Sequence, residues 1–136
     1  EVPEEVLLGL VGRYGGETRA VLALADSDPT LKQPIDEGLP HLGAEVVYAV
    51  RSEMATSVDD VLSRRTRSLL RDAEAARRAA ERAASLMAEE LGWDADRRAA
   101  EIEAFTAVVE RDLKAPRSLA HAGAPGPGSD DDTTSK

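Results

Sequence analysis

The sequence predicts an all-α fold, five to six helices in a small bundle that ends in a long antiparallel αα-hairpin. Three observations predict it. Apolar residues recur at three- and four-residue spacing through most of the first 113 positions. Alanine is abundant, while Tyr14, Tyr48, Trp93 and Phe105 are the whole aromatic set. That composition suits closely packed helices and disfavours β-sheet. Helix start and stop signals then punctuate the chain at intervals of a few turns.

Pro3 followed by Glu4 and Glu5 reads as a helix start, with acids at the positive end of the dipole. Leu7, Leu10, Val11 and Tyr14 continue it at helical spacing, and Gly15-Gly16 ends it. A second helix carries Val21, Leu22, Leu24 and Ala25 and stops at Asp26-Ser27-Asp28-Pro29. Residues 29–41 hold three prolines and a glycine, so they predict a loop, pinned to the core by Leu31, Ile35 and Leu39. A third helix is expected from about Leu42 to Met54, with Val47, Val50 and Met54 on one side. Ser57-Val58-Asp59-Asp60 resembles a capping box with Asp in place of Glu, and it opens a fourth helix through Leu70.

Asp72 is placed to cap an alanine-rich helix over 72–91, whose stripe is Ala76, Ala80, Ala83, Met87 and Leu91. Gly92 stands where a left-handed C-terminal cap is wanted. Asp94 can cap the last helix, with Ala95, Ala99, Ile102, Thr106, Val109 and Leu113 on one face. A Gly-Trp-Asp joint between two long helices predicts the terminal hairpin. From Ala115 the pattern ends in Pro, Gly, Ser, Thr and Asp, which reads as a disordered tail over 115–136 behind a helical domain over 1–114. The opening EVPEEVL lies already inside a helix start and lacks an initiator Met, so the chain is expected to be a piece of a longer protein.

The net charge is −9, and it resides in residues 1–113, which hold 23 acids and 14 bases; residues 114–136 hold three of each. Such a surface repels phosphate backbones and anionic lipid, which argues against nucleic-acid partners. A helix-turn-helix reading of residues 42–70 fails for the same reason. No apolar run is long enough for membrane insertion. The absence of cysteine fits a reducing compartment.

Catalytic apparatus is not apparent. His41 and His121 are far apart and no metal-ligand spacing exists, so no metal site is expected. Gly12-Arg13-Tyr14-Gly15-Gly16 lacks the strand that leads into a dinucleotide site, so no cofactor-binding residue is assigned and the motif reads as a tight helix–helix turn. Ser52, Ser57 and Ser63 have no histidine nearby to activate them, and no catalytic residue is assigned.

The basic cluster Arg64, Arg65, Arg67 and Arg71 stands out. At 100° per residue, Val58, Val61, Leu62 and Leu69 share a face that includes Arg65, while Arg64 and Arg67 point elsewhere. Asp60 and Arg64 form an i,i+4 pair. An arginine on a buried face needs a partner, and Glu45 or Glu53 on the preceding helix could supply a carboxylate. Arg65 is open to three roles: an internal brace or snorkelling arginine, a contact to a neighbouring domain, or a ligand contact. Glu45, Glu53, Arg64 and Arg65 are therefore the candidate structural or interdomain contacts.

The stretch GLPHLGAEVVYAVRSEMATSVDDVLSRRTR, followed by LMAEELGWD and preceded by Arg13-Tyr14-Gly15, resembles the C-terminal helical domain of FAD-dependent glycerol-3-phosphate dehydrogenase. The resemblance covers roughly residues 4–113 and is most specific over 44–67. Ser52 stands where the family's usual pattern often has histidine. The resemblance implies a parent oxidoreductase that converts sn-glycerol 3-phosphate to dihydroxyacetone phosphate with FAD and passes electrons to quinone. It implies that this chain is a non-catalytic cap, with no cofactor of its own and with the FAD-binding catalytic domain of the same parent as its partner. It further implies a cytoplasmic domain in a parent peripheral to the membrane. The alternative from the residues alone is a free-standing helical protein-interaction module.

Overall fold

A computed structural model describes residues 2–114, and the expected tail over 115–136 lies outside the described residues. The described part is helical, with one isolated bridge between Pro34 and Leu42 and no strand. The elements are α1 (Glu4–Tyr14), α2 (Thr18–Ser27), α3 (Gly43–Glu53), a π-helical segment (Asp60–Arg65), α4 (Ser68–Arg71), α5 (Ala73–Leu91) and α6 (Ala95–Lys114). Short 3₁₀ turns over Gly15–Glu17 and Pro29–Lys32 join the early helices.

The punctuation signals act where the sequence places them. Gly15 at φ 53° closes α1. Asp72 Oδ1 accepts from the Ala75 N–H at 3.1 Å, and Asp94 Oδ1 from the Arg97 N–H at 2.8 Å. Gly92 is left-handed at φ 74°, and its N–H and that of Trp93 both reach the Ala88 carbonyl. α5 and α6 consequently fold back on each other as an antiparallel hairpin, with Arg98 Nε donating to Ser85 Oγ at 3.0 Å across it.

The core gathers around α3, buried continuously from Gly43 to Ala49 and packed against both α2 and α5. Leu31, Ile35 and Leu39 pin the 29–41 loop to it as expected, each buried. On α5, six alanines between Ala75 and Ala84 are fully buried along with Met87, so neighbours approach its backbone closely. Phe105 fills the hairpin interface, and its burial contributes about 1.5–3 kcal/mol.

Five expectations are corrected. Met54 does not extend the α3 stripe: it is 84% exposed and sits left-handed at φ 61°, just past the helix end. Leu91 at the end of the α5 stripe is exposed. The buried face of α6 is Phe105 and Val109 with Ile102 beside them, while Ala95, Ala99 and Leu113 face water. One ring buries more area than several alanines, so Phe105 sets the rotation of the helix. Finally, no single helix runs from Ser57 to Leu70. The backbone widens into a π turn and breaks at Arg67, which is left-handed at φ 58°. Only half of the expected capping box forms: Ser57 Oγ accepts from the Asp60 N–H at 3.0 Å, but the Asp60 carboxylate turns to the Thr56 N–H instead.

Candidate functional site

Glu45 lies in the apolar run Leu42–Val50 and is fully buried. A carboxylate in such a place must be hydrogen-bonded and paired. Its position at the start of α3 brings it near the positive end of the helix dipole. Its Oε2 accepts from the Leu42 N–H at 2.8 Å, the half of a capping arrangement that a leucine N-cap permits.

The other partners come from the last turn of α1. Arg13 donates to Glu45 from Nη2 at 2.9 and 3.0 Å and from Nε at 3.2 Å. The Tyr14 hydroxyl donates to Oε1 at 3.0 Å. Tyr14 also stands edge-on to Tyr48, ring centroids 5.4 Å apart, and Tyr48 in turn donates to Glu17 at 3.2 Å. His41 Nδ1 lies 3.5 Å from Glu45 Oε1 without forming a hydrogen bond. It is the buried side-chain polar atom left unpartnered among the described residues.

Burial pushes the Glu45 carboxyl up, but the nearby His41 imidazole, the Arg13 charge and the Leu42 N–H together hold it below the usual carboxylate range. Burial, then the charge on Glu45, pushes the Tyr14 hydroxyl far above its ordinary value. These shifts describe a lock. Both oxygens of Glu45 accept from Arg13, and Tyr14 and the Leu42 N–H add one bond each, while Tyr14 is held neutral as a donor. The arrangement fastens α1 to α3.

The remaining candidates lie elsewhere. Arg65 is exposed, and its Nη2 donates to the Glu53 backbone carbonyl at 3.0 Å. Among the described residues it is neither buried nor paired with a carboxylate, because the π turn has i→i+5 periodicity and moves it off the face that 100° spacing predicts. Glu53 thus meets Arg65 through its main chain. Arg64 is exposed and pairs with Asp60 at 3.3 Å. Glu45 belongs to Arg13 and is not joined to this cluster. Sequence reasoning misses Arg13 and Tyr14 as partners. The available signal is a lone glutamate inside LGAEVVYAV, which demands a cation from outside its own helix.

Two open clefts of about 510 and 520 Å³ lie beside Pro34, between the start of α1 and the 29–40 loop; Leu42 lines the first, while Arg13, Tyr14, Glu45, Arg64 and Arg65 line neither. Among the described residues there is no group of three His, Cys, Asp or Glu side chains arranged to hold a metal ion. No helix among them is long and apolar enough to cross a membrane. Among these residues no strand leads a glycine turn into a helix N-terminus, the arrangement of a dinucleotide-binding fold.

Comparison with known proteins gives this helical unit a family. The model of the C-terminal domain of alpha-glycerophosphate oxidase matches residues 1–98. Glycerol-3-phosphate dehydrogenase 2 of Mycobacterium tuberculosis is 36% identical over 104 residues, 76% of this chain and 18% of that protein. The probable mitochondrial glycerol-3-phosphate dehydrogenase of Dictyostelium discoideum is 32% identical over 102 residues, 75% of this chain and 16% of its own length. Glycerol-3-phosphate dehydrogenase SDP6 of Arabidopsis thaliana is 34% identical over 90 residues, 66% of this chain and 14% of its own. The chain thus spans less than a fifth of the curated relatives it matches. No solved structure matches. With the family model covering well over half of its length, the chain belongs to the family of the C-terminal domain of alpha-glycerophosphate oxidase.

Proposed function

We propose that this chain is the non-catalytic helical cap of an FAD-dependent glycerol-3-phosphate dehydrogenase. The parent oxidises sn-glycerol 3-phosphate to dihydroxyacetone phosphate and passes the electrons to quinone. The observation that carries this reading is the matched stretch of 104 residues, which makes up only 18% of a named glycerol-3-phosphate dehydrogenase. In keeping with that, Glu45, the fully buried carboxylate of the described residues, is taken up by Arg13, Tyr14 and the Leu42 N–H in fastening α1 to α3. FAD binding and hydride removal fall to the rest of the parent. The cap's partner is that catalytic body, and its compartment is the cytoplasm, with the parent peripheral to the membrane.

The test is to express the full-length product of the gene and assay it with sn-glycerol 3-phosphate and an artificial electron acceptor. Substrate-dependent reduction by a yellow, flavin-loaded protein is expected. A colourless full-length protein with no such activity refutes the reading and favours a free-standing interaction module.

A further inference from the structure

α1 is apolar around more than half of its circumference. At about 100° per residue, Val6, Leu10, Tyr14, Leu7, Val11 and Leu8 follow one another around an arc about 200° wide. A surface helix needs about half of that to face its own core. The domain seals one side of the arc, where Leu10 is the single fully buried residue of α1. On the other side Leu7 keeps 36% of its exposure, Leu8 64% and Val11 50%. Val11 stands one turn from both leucines, at i+4 and i+3, so the three form a patch rather than scattered surface residues. Half-buried Val6 lines both open clefts beside Pro34. Arg13 and Tyr14 tie the last turn of the helix to Glu45, which fixes the face that points outward.

We infer that Leu7, Leu8 and Val11, on the outer face of α1, are the seat for the part of the parent polypeptide that precedes Glu1, which packs on them through apolar side chains of its own. The inference rests on the parent-chain reading above. Connectivity selects the occupant. The family is that of a C-terminal domain, and the matched stretch is 18% of the Mycobacterium tuberculosis relative. On that reading the bulk of the parent lies upstream and joins this chain three residues before α1 begins. A covalent neighbour so close meets the face at high effective concentration and needs no large contact to stay there.

Other occupants lack such support. An 11-residue helix is about 16 Å long and about 10 Å across, so its outer face falls far short of the about 800 Å² per partner that a stable dimer of two copies needs. Anionic lipid is repelled by Glu4 and Glu5 in the first turn of the same helix, on a chain of net charge −9. Residues 115–136 offer one large aliphatic side chain, Leu119, too little to cover three.

Photo-crosslinking in the full-length parent reads the occupant directly. Leu8→p-benzoylphenylalanine places a benzophenone on the face, and peptide mass spectrometry after irradiation locates the bond it forms. The expected product is a link within one polypeptide, to a peptide upstream of Glu1. In the unsubstituted parent, hydroxyl-radical labelling of Leu8 and Val11 should be at least about tenfold slower than in the urea-unfolded parent, as it is for buried Leu10. Where the substituted parent fails to fold, this footprint decides. A link to residues 115–136, to a second copy or to lipid overturns the inference, and so does labelling of Leu8 and Val11 at the unfolded rate. In a parent active on sn-glycerol 3-phosphate, such results leave the parent reading intact. A full-length protein without that activity removes the parent reading and this inference with it.

Discussion

Arg13 and Glu45, 32 positions apart in the chain, form a forked ion pair with guanidinium–carboxylate distances of 2.9 and 3.0 Å. The carboxylate side chain is wholly buried and the arginine side chain keeps 28% of its exposure. Removing one partner from such a pair leaves a charge without compensation. Arg13→Ala should therefore destabilise the chain by about 3 kcal/mol, the low end for a broken buried pair because Tyr14 and Leu42 still donate. Urea unfolding of Arg13→Ala and of Arg13→Met/Glu45→Leu checks this. The double substitution should recover part of the loss, and a mild single substitution with no recovery would show that the pair does not lock α1 to α3.

Acid should weaken the fold. Glu45 is held below its ordinary value of 4.5, with the lowering groups outweighing burial. Asp36 is lowered by Arg78, Asp60 by the Thr56 N–H and Glu90 by Arg51. A carboxyl depressed in the folded state contributes stability above its unfolded value and loses it as pH falls through the folded one. Stability should hold from neutrality down to about pH 4.5 and then decline. Glu45→Gln should start less stable and decline less steeply, as read from melts across that range.

Tyr14 predicts the opposite limb. Its hydroxyl is raised from 10.0 by burial and by Glu45, so the unfolded chain ionises first as pH climbs. That contribution to stability is complete below pH 10 and is lost above it. Ultraviolet titration should show one tyrosine ionising only with unfolding, a step missing in Tyr14→Phe. A Tyr14 that ionises reversibly in the folded chain near its ordinary value would contradict the hydrogen bond to Glu45.

Two glycines should respond with opposite sign. Gly92 has φ 74° with open space around it, so Gly92→Ala is strained by backbone alone and should destabilise by about 1 kcal/mol. Gly12 lies within α1, and no atom lies close to where an added methyl would stand. Gly12→Ala should therefore stabilise by about 0.5–1 kcal/mol. Thermal unfolding of the pair separates them. Equal effects would place the end of α5 elsewhere.

Arg65→Ala and Arg64→Ala should both change the stability of the isolated chain by less than about 1 kcal/mol, since both side chains are exposed. A larger loss for Arg65 would mean that its bond to the Glu53 carbonyl braces the π turn.

What the sequence makes legible is local. Asp72, Gly92 and Asp94 fix helix ends through hydrogen bonds and torsions within four residues, so pattern suffices. Leu31, Ile35 and Leu39 announce a pinned loop because apolar residues among prolines have few other uses. The rest depends on tertiary geometry. Glu45 visibly needs a cation, but that Arg13 supplies it follows from how α1 crosses α3. The π turn widens the helix to close its hydrogen bonds at Thr66, whose N–H reaches Val61 O at 2.8 Å, and no residue type there marks it. A uniform helical periodicity consequently puts Arg65 on the wrong face, because that period does not hold over Asp60–Arg65.

Alanine at the centre of α5 also limits how the domain can change. A buried leucine or methionine surrenders rotamers when the chain folds, whereas alanine has none to surrender. Ala75, Ala76, Ala79, Ala80, Ala83 and Ala84 therefore build the centre of this domain almost free of side-chain freezing. The same six methyl groups leave no torsion that could swing aside for a larger neighbour. Changes in volume along this helix have to be absorbed by moving whole helices, so the seam between α3 and α5 is the place where sequence drift in this family should be slowest.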